Sequence, residues 1–219
     1  MGKTLCVVQT SAVSCMEIAQ LCKDNLEGVK YIEIIDSTLI DEVVANGGVT
    51  NGVRQRLLTY YKFAEDYHAD IILNQCSSVS EVVDIGRQIV SVPIIKVDEP
   101  MMVKAVGLGK KIALVATVKT TVGPSSRLLK SVAQREGKDI VVTEYLEDGA
   151  MLALMAGDRE KHNSVLLSTI EKAADENDVV VLAQGSMTAI LPLIGHIDKP
   201  VLTSPINAFE YLKDLFEAM

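Results

Sequence analysis

Four cysteines, three histidines and several runs of small polar residues are where this sequence could do chemistry, and Cys76 is the best placed of them. It follows the β-rich apolar run Ile71-Ile72-Leu73 and the polar pair Asn74-Gln75, and it precedes Ser77-Ser78, which open a helical pattern. A thiol between a strand end and a helix N-terminus is expected to have its pKa lowered by the helix dipole and by backbone N–H groups that lack helical partners. The same N–H groups, with two hydroxyls, form a cradle for an anion. The plain alternative is a buried structural cysteine, which is common. Polar neighbours on both sides suit a site better than a core.

Gln184-Gly185-Ser186-Met187 closes another β-rich run. Gly185 permits close backbone approach, and Ser186 offers a hydroxyl at the next helix start. Gln184 can donate and accept hydrogen bonds but has no proton to transfer at neutral pH. Its alternative is an ordinary loop amide. Thr10-Ser11 and Thr117 with Thr120-Thr121 follow two further apolar runs, where hydroxyls and amides would suit a carboxylate ligand. Helix capping uses the same residue types, and the two roles are compatible. Of the other cysteines, Cys6 lies inside a strand pattern, and Cys15 and Cys22 share one helix face as a core stripe. Cys15, close to the first strand end, remains an outside candidate. His68, His162 and His196 show no ligand spacing, so no metal site is expected. Val106-Gly107-Leu108-Gly109 precedes a strand and lacks the third glycine of a dinucleotide fingerprint, and no phosphate-binding Gly-Lys-Ser/Thr occurs.

The elements that must position these residues are strands alternating with helices. β-rich runs fall at 4–9, 31–35, 70–74, 92–96, 111–116, 139–143, 178–183 and 200–203, and amphipathic segments at 14–26, 53–68, 79–90, 124–136 and 159–175. Asp158 is expected to cap the helix from Arg159, and Ser204-Pro205 reads as a helix start. Asn46 to Gly52 reads as a mobile loop or surface turn. Such alternation predicts an α/β fold with parallel sheets. Apolar residues make up 48% of the 219-residue chain, enough for a core without staples. A net charge of -8 argues against a nucleic-acid partner. The longest apolar runs are strand-length, so no membrane span is expected. Cysteines without Cys-x-x-Cys pairs and no export signal point to thiols in a reducing compartment, the cytoplasm.

An internal repeat organises these elements. Lys3–Val8 matches Lys111–Ala116, and Asp70–Cys76 matches Asp178–Gln184, both at an offset of 108 residues. A third match, Val92-Pro93-Ile94-Ile95 against Lys199-Pro200-Val201-Leu202, is shifted by one. The chain therefore reads as two pseudo-symmetric α/β halves, residues 1–95 with 205–219 and residues 96–204, with the last helix packing back on the first half. Ligands in open α/β sheets bind beyond the carboxyl ends of the strands. The active site is accordingly expected in a cleft between the halves, with Cys76 and Gln184 flanking one ligand.

These residues resemble the aspartate/glutamate/hydantoin racemase superfamily. Cys76-Ser77-Ser78 is similar to its first cysteine motif, Val92-Pro93 through Glu99-Pro100 to the stretch between halves, Ala116-Thr117 with Thr120 to its middle motif, and Leu182 to Met187, running on to Pro192-Leu193-Ile194, to its second cysteine motif. The resemblance implies a cofactor-independent isomerase, a homodimer, acting at the carbon next to a carboxylate of a small acid. It implies Cys76 as acid/base or nucleophile, with Thr10, Ser11, Ser77, Ser78, Thr117, Thr120, Gly185 and Ser186 around the carboxylate. The sequence departs from the family where its second cysteine falls on Gln184. That departure brings in a one-cysteine lyase resembling arylmalonate decarboxylase, and the covalent cysteine chemistry of maleate isomerases. A catalytically silent small-acid binding protein is the competing reading from another class.

Overall fold

A computed structural model of the protein describes residues 2–219. These form two compact units, one comprising the residues up to Val97 together with Ala208–Met219, the other Asp98–Asn207. The first carries β1 (Thr4–Gln9), α1 (Cys15–Asn25), β2 (Lys30–Ile35), α2 (Thr38–Asn46), α3 (Asn51–Asp66), β3 (Ile71–Asn74), α4 (Val82–Gly86) and β4 (Ile94–Lys96). The second carries α5 (Glu99–Leu108), β5 (Lys111–Ala116), α6 (Lys119–Arg135), β6 (Val141–Leu146), α7 (Asp148–Met155), α8 (Arg159–Glu176), β7 (Val179–Leu182) and β8 (Val201–Thr203), and α9 (Ser204–Ala218) starts there. Each unit holds a four-stranded, all-parallel sheet, in the orders β2-β1-β3-β4 and β6-β5-β7-β8. The predicted α/β class is the observed one.

Parallel strands covered by helices on both faces read as continuous apolar runs, because neither face meets water. The central strands β1, β3 and β7 are buried along their whole length, and β5 at all but its first residue. The edge strands β2 and β6 instead alternate with exposed positions. In the first unit α3 and α4 cover one face through Leu57, Tyr61, Ala64, Val82 and Val83, and α1 and α9 cover the other through Ile18, Phe209, Leu212 and Phe216. In the second, α8 takes the face equivalent to that under α3, and α5 and α6 take the other. From Ala208 onward the last helix packs on the first sheet, beside Leu5, Val7, Ile71 and Leu73.

Backbone hydrogen bonds fix how the halves correspond. Asp70 N donates to Thr4 O at 2.9 Å and Asp178 N to Lys111 O at 2.8 Å. Gln75 N reaches Val8 O at 3.0 Å and Ala183 N reaches Val115 O at 2.9 Å. Pro93 and Pro200 accept from Ile72 and Val180. β3 and β7 are thus related by an offset of 108 residues, as the sequence reading has it, whereas β1 and β5 are related by 107, one residue away from it. A slip of one residue barely alters a match between apolar strands but turns every side chain to the opposite face, so the ladder decides it. Cys76 remains the counterpart of Gln184, and Thr10 becomes the counterpart of Thr117.

Several elements differ from expectation. The helix read at 79–90 is a 3-10 turn at Ser77–Val79 followed by the short α4, and α6 begins at Lys119 with Pro124 inside it. Helices α5 and α7 carry no clear periodic pattern, and the short α2 buries only Leu39 and Val43, one turn apart. α5 buries Met101, Met102, Ala105 and Val106 on one face, but Val103 and Leu108 are apolar and exposed, so its amphipathic signal is weak. Of the stretch from Asn46 to Gly52, only residues 47–50 form the turn between α2 and α3, and the rest belongs to the two helices. Gly47 stops α2 in the left-handed conformation (φ 68°), and Thr50 caps α3 by accepting from Val53 N at 3.1 Å. Asp158 caps α8 as expected, accepting from Lys161 N at 3.0 Å.

Candidate active site

In the first unit the site residues gather where β3 ends. The chain stays extended through Cys76 (φ -120°, ψ 119°), which immediately precedes the 3-10 turn. Cys76 is half-buried, and Ser77 and Ser78 are buried. Asn74, fully buried, donates its Nδ2 to Cys76 O at 3.0 Å, and its Oδ1 accepts from Tyr61 Oη at 2.8 Å. The helix expected after Cys76 is short: three residues of 3-10 turn and five of α-helix, which sum few peptide dipoles. Next to Asn74 in the ladder lies Lys96, a buried lysine whose Nζ sits 2.7 Å from Asp84 Oδ1.

Thr10 and Ser11 follow β1, the strand beside β3, Thr10 buried and Ser11 half-buried. This end also carries an acid that the sequence reading missed. Glu33 on β2 accepts from Gln9 Nε2 at 2.8 Å and from Tyr31 Oη at 2.9 Å. Cys15 lies there too, its Sγ 3.7 Å from Ser11 O, and its thiol is pushed up by burial and then by the Glu33 charge. Burial raises the Cys22 thiol, and it raises Cys6, inside β1, to about 11. None of the four cysteines is in a disulfide.

In the second unit Gln184 ends the extended run after β7 (φ -131°, ψ 134°), ahead of a 3-10 stretch at Gly185–Leu193. Its Oε1 accepts from Thr117 N at 2.6 Å, Thr117 Oγ1 at 3.1 Å and Val118 N at 3.2 Å. The donors that the sequence reading offered to a carboxylate at Thr117 are therefore directed at the Gln184 side chain. The amide orientation follows, since only its oxygen can accept, and Nε2 donates to no group among the described residues. Thr120 is half-buried in the first turn of α6, Gly185 is half-buried with its carbonyl accepting from Thr188 Oγ1 at 2.8 Å, and Ser186 is exposed. The structure thus joins Cys76 to Asn74 and Tyr61, and Gln184 to Thr117. The signal for Tyr61 and Asn74 was a buried tyrosine on a helix face and a polar residue closing an apolar strand, neither of which names its partner.

The family model for Asp/Glu/Hydantoin racemase matches residues 6–210. The chain belongs to that family. Among solved structures, an aspartate racemase homologue from Pyrococcus horikoshii OT3 is 21% identical, with 99% of this chain and 100% of that chain covered and a TM-score of 0.71. Glutamate racemase from Francisella tularensis, in complex with D-glutamate, is 16% identical over 99% of this chain and 82% of that one, at a TM-score of 0.71. Allantoin racemase from Klebsiella pneumoniae is 14% identical over 99% and 88%, at 0.65. At these identities the likeness is one of fold. No curated protein matches the sequence. Among the described residues, no group of His, Cys, Asp and Glu side chains is gathered as a metal site, and no helix is long and apolar enough to cross a membrane.

Proposed function

We propose that this member of the racemase family is a cofactor-independent isomerase acting at the carbon next to a carboxylate in a small acid, with Cys76 as its single catalytic thiol. The observation that carries the reading is the contrast between equivalent strand ends, a half-buried thiol at one and an amide at the other. The Cys76 thiolate takes the α-proton, and the electron pair of the C–H bond moves into the carboxylate to give an enediolate. Backbone N–H groups and hydroxyls of Thr10, Ser11, Ser77 and Ser78 hold the developing charge. Gln184 donates its outward Nε2 to a substrate oxygen, and Thr117 acts by holding Gln184. Thr120, Gly185 and Ser186 complete the proposed binding residues. The planar enediolate then turns its opposite face toward Cys76, and the thiol delivers its proton there, which completes the isomerisation.

Gln184 also favours a second reading, a one-thiol lyase. There, loss of carbon dioxide from a malonate-type acid leaves the same enediolate, and Cys76 protonates it on one face. A reducing, cytoplasmic setting and a homodimer complete the proposal, the latter checkable by light scattering. The deciding experiment is incubation with small hydroxy, amino and dicarboxylic acids in heavy water, followed by NMR. Exchange of the α-proton that outpaces inversion and disappears in Cys76→Ser supports the isomerase, and decarboxylation that disappears in Cys76→Ser supports the lyase. Inversion at a rate matching exchange would overturn the single-thiol scheme, and binding without turnover, unchanged in Cys76→Ser, would leave a silent binding protein.

A further inference from the structure

We propose that Tyr61 and Asn74 form a clamp that positions Cys76, an inference that rests on the catalytic reading of that thiol. Asn74 is the last residue of β3 and is 0% exposed, and so is Tyr61, which reaches it from α3. Only one orientation of the Asn74 amide satisfies both neighbours. Its Nδ2 must face the Cys76 carbonyl, which can only accept, so its Oδ1 faces the phenol, which donates. The Cys76 carbonyl also accepts a longer bond from Val79 N, at 3.3 Å. The clamp therefore holds the peptide from which the thiol projects in its extended conformation.

The duplicated fold supplies the control. The ladder places Leu182 of β7 where β3 has Asn74: Val8 pairs with Asn74 as Val115 pairs with Leu182. Leu182 is fully buried among Leu166, Ile170 and Ala173 of α8, the helix equivalent to α3. A leucine therefore satisfies this position of the fold. Burying a phenol and an amide instead is costly unless each is partnered, and returns little net stability even then. The polar pair stands in the unit that carries the thiol, and is replaced by hydrocarbon in the unit that carries Gln184, whose side chain is fixed by other donors. The position of the Tyr61 ring is itself constrained, because a methyl at Gly86 would lie 2.7 Å from Tyr61 Cδ2. Burial raises the Tyr61 phenol, and charge on Cys76 raises it further, so thiol and phenol are close enough to sense each other.

The test is the double variant Tyr61→Phe/Asn74→Leu, which removes the phenol and the amide together, leaves Val79 N as a donor to the Cys76 carbonyl and recreates the apolar solution of the second unit. Iodoacetamide alkylation is followed across pH by peptide-resolved mass spectrometry, with Cys6 as the slow internal reference. The amide donor lends partial positive charge to the Cys76 peptide, so its loss should move the Cys76 profile up by about one pH unit, or roughly tenfold slower reaction near neutrality. Tyr61→Phe alone should move it in the same direction by less, and serves if the double variant fails to fold. A folded double variant with the wild-type Cys76 profile overturns the clamp. Because alkylation needs no turnover, this outcome is separate from that of the catalytic reading. Activity that survives Cys76→Ser ends the catalytic reading, whereas an unshifted profile ends the clamp alone.

Discussion

Gln184 and Cys76 sit at equivalent strand ends and differ in reach. The glutamine side chain is long enough to bring its oxygen to Thr117 N, Thr117 Oγ1 and Val118 N, and so satisfies backbone groups at the start of α6 from within the chain. A cysteine, with one heavy atom beyond Cβ, keeps its sulfur close to its own backbone, where Asn74 fixes the peptide. Gln184→Ala should orphan Thr117, which is buried, and cost about 1–3 kcal/mol in denaturant unfolding. Gln184→Glu, which keeps an oxygen in the same place, should recover most of that loss. Equal stability of the alanine variant and the wild type would mean that solvent replaces the glutamine at no cost.

At the scale of elements, the first unit's site depends on α3 being held against the face of the sheet. Near its C-terminal end, Glu65 accepts from Ser91 N at 2.7 Å and Ser91 Oγ at 2.6 Å, tying the helix to the segment that leads into β4. Lys62 first, and then these Ser91 bonds, hold the Glu65 carboxyl down at about 2 against an ordinary value of 4.5. A carboxyl whose folded pKa is depressed stabilises the fold above its ordinary pKa and loses that contribution as pH falls through the folded value. Glu65→Gln should therefore melt below the wild type at neutral pH, with the gap closing between about pH 4.5 and about pH 2. A gap that stays constant across that window would show that the carboxylate charge is not what ties α3 to Ser91.

The whole molecule repeats one plan twice, with each sheet buried on both faces. Asp70 and Asp178 mark the repetition: each precedes the third strand of its sheet and accepts from the start of the first, at Thr4 N and Lys111 N. The C-terminal helix completes the first unit. Phe209 and Leu212 of α9, both 0% exposed, pack with Leu5, Val7, Ile71 and Leu73. Phe209→Ala should destabilise that unit by about 3–5 kcal/mol in urea unfolding, with hydrogen exchange speeding up in β1 and β3. If exchange instead rises mainly in β5 and β7, the assignment of α9 to the first core is wrong.

The sequence by itself determined the α/β class, the strand positions and the correspondence of Cys76 with Gln184, because strand-forming runs are a local property and a repeat is visible as a constant offset. It also marked the cap at Asp158 as the kind of residue that starts a helix. Only the tertiary structure decided the register of β1 against β5, since apolar strands shifted by one residue still look alike as letters. The same holds for the bonds that set the site: Tyr61 meets Asn74 across 13 residues, and Thr117 meets Gln184 across 67. Partners so far apart leave no local pattern, because which polar group a buried amide faces is settled by how helices pack on the sheet.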